Sequence, residues 1–177
     1  TFGGVGIFTG FAGAVLLTYA AGGVAGTKEL AGILAGGALL FLAGLIDDVR
    51  ALPPLAKLGA QFGAAAIVLV AGVRVDIVHN GVAAAAIAVV WLVGLTNAFN
   101  LLDNMDGLCA GIALIAGATV LSGLVARGGF TPEARYLTIV LGATAGFLVR
   151  NVHPASIFMG DGGSLFLGLT LAADRKS

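Results

Sequence analysis

Cysteine is almost missing: the single Cys109 lies in an apolar stretch, so a disulfide framework and a cysteine-built metal site are both excluded, and a small buried hydrophobe is its natural role. Charge is scarce too, at 10% of residues, and nine Lys/Arg balance nine Asp/Glu. No net field points to nucleic acid, and no basic run offers a polybasic lipid-binding tail. Nor is there a Ser/His/Asp set, a zinc-spaced group of His or Cys, or a Walker-type loop. No initiator Met, charged n-region or cleavage site precedes Thr1-Phe2-Gly3-Gly4-Val5, so residues 1–177 are expected to be one transmembrane catalytic core cut from something longer.

What remains is apolar. Hydrophobic residues make up 59% of the chain and the mean hydropathy is +1.06, far above a soluble domain. Apolar stretches fall at roughly 2–26, 29–46, 55–75, 82–102, 108–126, 134–149 and 164–173, most of them near the ~17–25 residues a spanning helix needs. The last, Ser164 to Ala173, is half a span and implies truncation at that end as well. Backbone in hydrocarbon must satisfy its own hydrogen bonds, and at these lengths that means helices, not a barrel. The expected fold is all-α: a polytopic transmembrane bundle of six full spans plus the start of a seventh. Glycine pairs four apart, at Gly6/Gly10, Gly22/Gly26, Gly32/Gly36, Gly59/Gly63, Gly107/Gly111 and Gly142/Gly146, support close helix packing, although an Ala/Gly-rich composition produces some of them by chance.

Each span carries the chain across the bilayer, so crossings can be counted between charged loops. Asp47 and Asp48 end the second span, Asp103 and Asp106 follow the fourth, and Asp161 follows the sixth. All five should emerge on one face, with Glu29, Asp76 and Glu133 on the other. Arg50, Lys57 and Arg150 on the acidic face are matched by Lys28, Arg74, Arg127 and Arg135 opposite, so the positive-inside rule does not orient the chain.

The five acids fall in three clusters. In Gly44-Leu45-Ile46-Asp47-Asp48-Val49-Arg50, adjacent carboxylates point in different directions and can hold different partners, before Pro53-Pro54 stops the helix and Lys57 follows. A solvated interfacial loop with a snorkelling lysine is the plainer alternative. The second cluster, Asn97 to Gly107, places polar groups at Asn97, Asn100, Asp103 and Asp106. Nine residues make about two and a half turns, so Asn97 and Asp106 would point oppositely on an unbroken helix, which should therefore break or tighten between Asp103 and Asp106. A cap and turn is the alternative. The third cluster, His153 to Ser164, reads as a loop leading into a new helix, with Gly162 and Gly163 allowing close backbone approach and Ser164 near a helix start whose amides offer an anion site. Asp161 beside it suits a hard cation bridging to phosphate, unless it is a turn with a capping acid. Together the clusters suit Mg²⁺-assisted phosphoryl transfer. His79 reads as a solvated turn residue, Trp91 as packing, and His153 as either a loop residue or a substrate contact.

These motifs resemble the polyprenyl-phosphate N-acetylhexosamine-1-phosphate transferases and the related phospho-MurNAc-pentapeptide translocases. The resemblance rests on Thr1-Phe2-Gly3-Gly4, on Asp47-Asp48 with Lys57 and Gln61, on Asn97 to Asp103 with Met105-Asp106-Gly107-Leu108, and on Phe158 to Leu165, four motifs in order along the whole chain. It implies transfer of a phospho-sugar from a UDP-sugar to undecaprenyl phosphate with release of UMP, at a cytoplasm-facing site of a bacterial inner membrane. By the same resemblance Asp161 and Asn100 hold Mg²⁺, with Mn²⁺ an alternative, and Asp47 and Asp48 serve the lipid phosphate and any proton transfer. Lys57 contacts phosphates, and Asp103 supports the metal or diphosphate. Asn97 helps position the nucleotide, while Asp106 and Phe158 hold the uracil. A homodimer is implied by analogy alone. The family's His-rich loop and further spans are absent from the chain, and Leu102 to Asp106 with Ser156-Ile157-Phe158 reads closer to the sugar-1-phosphate branch. A cation or proton transporter, the rival class, predicts acids at differing depths inside spans. A catalytically inert scaffold would leave the convergence of the clusters without a reason.

Overall fold

The computed structural model describes residues 2–22, 27–73 and 81–173, and among them the chain is helical throughout with no strand. Thr1, Arg74, Asp76, His79 and Asp174 lie outside the described residues. The helices are α1 Gly3–Ala20, α2 Lys28–Val49, α3 Pro54–Val70, α4 Gly81–Leu102, α5 Leu108–Gly128, α6 Pro132–Asn151 and α7 Gly160–Ala173, one for each expected apolar stretch. α1, α2, α4 and α5 are long and apolar enough to cross a membrane by length and composition. α3 is a shorter apolar helix of 17 residues, and α6 carries Glu133, Arg135 and Arg150.

Local chemistry sets the ends. Thr27 Oγ1 accepts from the Leu30 amide at 3.1 Å to start α2, and Thr131 Oγ1 accepts from Ala134 at 3.3 Å to start α6, where Pro132 occupies a first-turn position that has no amide partner to lose. Pro54 opens α3 in the same way. Glu29 and Glu133 sit in first turns, where the helix dipole favours negative charge.

The arrangement of these helices is not legible from hydropathy. α7, at 14 residues the shortest helix, lies in the middle: it packs on α1, α2, α4 and α5, while the other six neighbour one another in the order α1, α2, α3, α4, α5, α6 and back to α1. All its residues except Asp161 and Leu171 are buried. The run expected as half of a terminal span is thus the axis of the bundle, because a helix apolar on every side is at home with protein on every side. Phe8 stacks on Phe41 with ring centroids 4.1 Å apart, and Phe11 meets both Phe166 and Tyr136 at 5.2 Å, tying α1, α2, α6 and α7 together. Leu16, Leu17, Val70, Val82, Val90 and Ile115 face outward, as lipid-contacting side chains do.

The glycine pairs four apart are mostly not where helices touch. Gly32 and Gly36 do pack against α3, but a Cβ at Gly6, Gly59, Gly111, Gly142 or Gly146 would meet nothing within 4 Å. Of the tight contacts between backbones, Gly4 against Gly163 and Gly44 against Gly162 lie at the end of the bundle where α7 begins. Spacing records the composition; crossing geometry decides which glycines are needed.

Candidate active site

The acids gather on one face, as expected. The ends of α2, α4 and α6 and the starts of α1, α3, α5 and α7 meet at one end of the bundle, where Asp47, Asp48, Asp103 and Asp161 are linked through Lys57 and the start of α7, and Asp106 bonds to His153 and Ala155 beside them. The two adjacent acids diverge as expected. Asp47 turns toward α3, accepting from the Leu52 amide at 2.6 Å and pairing with Lys57, whose ammonium also reaches Asp161 at 2.7 Å. Asp48 turns toward α7, accepting from the Asp161 amide at 2.9 Å and the Gly162 amide at 3.3 Å. Asp103 accepts from the Gly160 amide at 2.9 Å.

Here the third cluster departs from expectation. α7 starts at Gly160, four residues before the expected Ser164, so Gly162, Gly163 and Ser164 are interior helix residues and are buried. Amides that were expected to offer an anion site are bonded to the protein's own Asp48 and Asp103. Ser164 accepts from Asn100 Nδ2 at 3.0 Å and donates to the Asp161 carbonyl at 3.4 Å. The opening Gly3 and Gly4 belong to the same cluster, since their amides donate to the Phe158 and Met159 carbonyls at 2.9 and 2.8 Å.

The second cluster behaves as its spacing requires. α4 ends at Leu102, Asp103 N reaches Asn100 O in a tighter i to i−3 contact of 3.4 Å, and Gly107 with φ 72° turns the chain into α5. Asn97 spends its amide within the bundle: its Nδ2 donates to Gln61 Oε1 at 2.6 Å and Val93 O at 2.9 Å, and its Oδ1 accepts from Gln61 Nε2 at 3.1 Å. This amide pair ties α3 to α4. Gln61→Ala should therefore destabilise the protein by roughly 1 kcal/mol, the upper range for hydrogen bonds between membrane helices; an unfolding titration in mixed micelles that matches wild type would show the pair to be energetically idle.

Asp106 accepts from the Ala155 amide at 3.1 Å and meets His153 Nδ1 at 2.9 Å; these contacts, the amide foremost, hold its carboxyl below the ordinary range. His153 itself is 85% exposed and Phe158 54% exposed, so both present open surface beside the acids. Cys109 is buried with its thiol toward the Phe99 carbonyl, and Trp91 Nε1 donates to Ala172 O at 3.2 Å, a packing role for each.

Two residues with no assigned role prove structural to the site. Gln61 is one. The other is Asn151, which is 3% exposed, accepts from the Gly107 amide at 3.0 Å and donates to the Ile157 carbonyl at 2.9 Å, clamping the second cluster to the third. The only sequence signal was a polar residue at the end of an apolar span.

Burial, reinforced by the neighbouring carboxylates of Asp161 and Asp48, pushes Asp103 up to about 6 against the pull of the Gly160 amide. A folded pKa raised above the unfolded one means that the native state holds the proton more tightly. This contribution to stability is then greatest below the ordinary value of about 3.9 and falls as pH rises through the raised one. In EDTA, the thermal midpoint of wild type is expected to fall relative to Asp103→Asn as pH rises from about 4 to about 6; parallel traces would contradict it.

As a cation site, the arrangement offers hard oxygen donors. Four carboxylates, from Asp47, Asp48, Asp103 and Asp161, gather here; Lys57 pairs with Asp47 and Asp161, while Asp48 and Asp103 accept from amides of α7. Among the described residues no three Asp, Glu, His or Cys side chains converge as an all-protein metal cage.

A family model described as glycosyl transferase family 4 matches residues 30–174. A probable undecaprenyl-phosphate N-acetylglucosaminyl 1-phosphate transferase of Bacillus subtilis is 35% identical, over 96% of this chain and 49% of that protein. The decaprenyl-phosphate N-acetylglucosaminephosphotransferase of Mycolicibacterium smegmatis is 34% identical, over 97% and 48% respectively. A phospho-N-acetylmuramoyl-pentapeptide-transferase of Shouchella clausii is 51% identical over 48% of this chain and 26% of its own. The chain thus spans about half the length of the curated relatives that align along all of it. Its match to the family model includes α2 through α7 and every acid of the site, and on that match the chain belongs to glycosyl transferase family 4.

Proposed function

We propose that this chain is the membrane core of a phospho-sugar transferase that moves a sugar 1-phosphate, GlcNAc-1-phosphate foremost, from a UDP-sugar to a polyprenyl phosphate and releases UMP. The observation that carries the reading is the convergence of Asp47, Asp48, Asp103, Asp161 and Lys57 at one end of an apolar bundle, where a lipid phosphate and a water-soluble nucleotide can meet. An oxygen of the lipid phosphate forms a bond to the β-phosphorus of the donor, and the bond from that phosphorus to the anhydride oxygen breaks, leaving UMP. Such a reaction demands positioning and charge neutralisation more than covalent help from the protein.

Asp161 would hold Mg²⁺, with Mn²⁺ as a substitute, and Asn100, whose Nδ2 is engaged by Ser164, would offer its carbonyl oxygen. When bound, the cation supplies neutralisation of charge on the phosphate oxygens. Lys57 adds a positive group for the phosphates from its place between Asp47 and Asp161. Asp47 serves the lipid phosphate, Asp106 and the exposed Phe158 serve the uracil, and His153 is close enough to Asp106 to join them. The reading includes a bacterial inner-membrane location, a cytoplasm-facing site, a homodimer and a step in cell-envelope polysaccharide synthesis, all by analogy with relatives.

The high identity to a pentapeptide transferase over half the chain favours a second donor, UDP-MurNAc-pentapeptide. The acids gather at one end of the bundle and do not line its depth, which favours an enzyme over a cation or proton transporter. The test is UMP release by the full-length protein with undecaprenyl phosphate, Mg²⁺ and either UDP-GlcNAc or UDP-MurNAc-pentapeptide. Release with the first supports the reading, release with the second alone moves the protein to the other branch, and release with neither overturns the proposal.

A further inference from the structure

The start of α7 has an unusual cap. A helix leaves its first amides without intrahelical partners, and a residue just before the helix ordinarily supplies the acceptor. Here both acceptors come from elsewhere in the chain. Asp48, at the end of α2, takes the amides of Asp161 and Gly162 with its two oxygens, and Asp103, after α4, takes that of Gly160. The fit is close: a Cβ on Gly160, whose φ is +76°, would lie 2.6 Å from Asp48 Oδ2. The bond from Asp48 falls on the backbone of Asp161 itself, while the Asp161 side chain points to Lys57.

We propose that Asp48 is a positioning residue: its carboxylate clamps the first turn of α7 to α2 and thereby sets where the Asp161 carboxylate stands, in place of a direct contact with the lipid phosphate or a proton-transfer role. The inference rests on the transferase reading for its catalytic consequence, but the clamp itself does not. Charged acceptors on amides are the strong kind of hydrogen bond, and the positive end of the helix dipole adds to them. Asn at position 48 keeps a carbonyl oxygen for the Asp161 amide but loses the acceptor for the Gly162 amide, whereas Ala keeps neither. Proton transfer or charge at this position would be lost equally in both.

Two measurements on the full-length protein test this. In the first, hydrogen exchange is followed in peptides covering residues 158–166 without substrate. Asp48→Ala should speed exchange there by about ten- to a hundredfold, the loss of hydrogen bonds to a charged group, and Asp48→Asn by clearly less. In the second, turnover should fall mainly in kcat for Asp48→Ala, with Asp48→Asn recovering at least about a tenth of wild-type activity and an unchanged pH profile. Unaltered exchange in both variants overturns the clamp whatever the enzyme's substrate. Altered exchange with Asn as inactive as Ala overturns the positioning role and returns Asp48 to direct chemistry. Should Asp48→Ala fail to fold, the Asn variant decides alone: faster exchange with at least about a tenth of wild-type turnover supports the proposal, and unaltered exchange or loss of turnover overturns it. An inactive wild type with the predicted exchange pattern counts against the transferase reading only.

Discussion

Asp161→Ala in the full-length protein is expected to lower kcat by about 10²–10³, the effect of removing one preorganised electrostatic group from a phosphoryl- or acyl-transfer site. Asp161 is the one residue in the first turns of α7 whose side chain is not buried, and it reaches Lys57 from the helix that every other part of the site surrounds. Its removal frees Lys57 from one of its two carboxylates and takes away the strongest candidate for the cation. Steady-state UMP release with saturating donor and a magnesium titration checks this. Arg127→Ala, an exposed residue at the far end of α5, serves as a control that should stay near wild type. Full activity in Asp161→Ala would sink the assignment of this end of the bundle as the catalytic centre.

Gly44→Ala is expected to give a large loss of stability for so small a substitution. A Cβ there would lie 2.5 Å from both the carbonyl carbon and oxygen of Asp161, and closer still to the Gly162 amide nitrogen. These are backbone atoms of the central helix, so no rotamer change relieves the overlap and α2 must move off α7. Overpacking of this kind costs about 1–3 kcal/mol, and a displacement of ~1 Å at a catalytic group can cost about a hundredfold in rate. Gly142→Ala, with nothing within 4 Å of its added methyl, should remain within about 0.5 kcal/mol of wild type. Unfolding of the pair in mixed micelles checks the contrast: Gly44→Ala behaving like Gly142→Ala would refute the close α2–α7 crossing.

Hydropathy alone was enough to locate all seven helices, because a backbone in hydrocarbon has few alternatives to a helix and apolar runs announce their length directly. Parity did the rest for the acids. Two helices separate Asp47 from Asp103 and two separate Asp103 from Asp161, so successive reversals of direction bring the three to one end. The break from Asp103 to Asp106 was legible for a similar reason, since helical periodicity could not keep Asn97 and Asp106 on one face. Resemblance to a known family supplied the substrate class, which no spacing of carboxylates could have named.

What the sequence by itself determined is therefore the set of apolar helices, their alternating direction along the bundle and the gathering of five acids at one face. Tertiary structure alone decided the rest: that the shortest helix is the central one, that Gly44 and Gly4 meet the backbone of α7 where Gly142 meets nothing, and that the acids divide their work. Asp48 and Asp103 turn to the backbone of α7, while Asp47 and Asp161 turn to Lys57. The physical reason is that hydropathy and parity act on one helix at a time. Which amide a carboxylate meets, and which glycine another backbone crosses, depends on the distance between helices far apart in the chain, as for Asp48 and Asp161, and that distance exists only once they have packed.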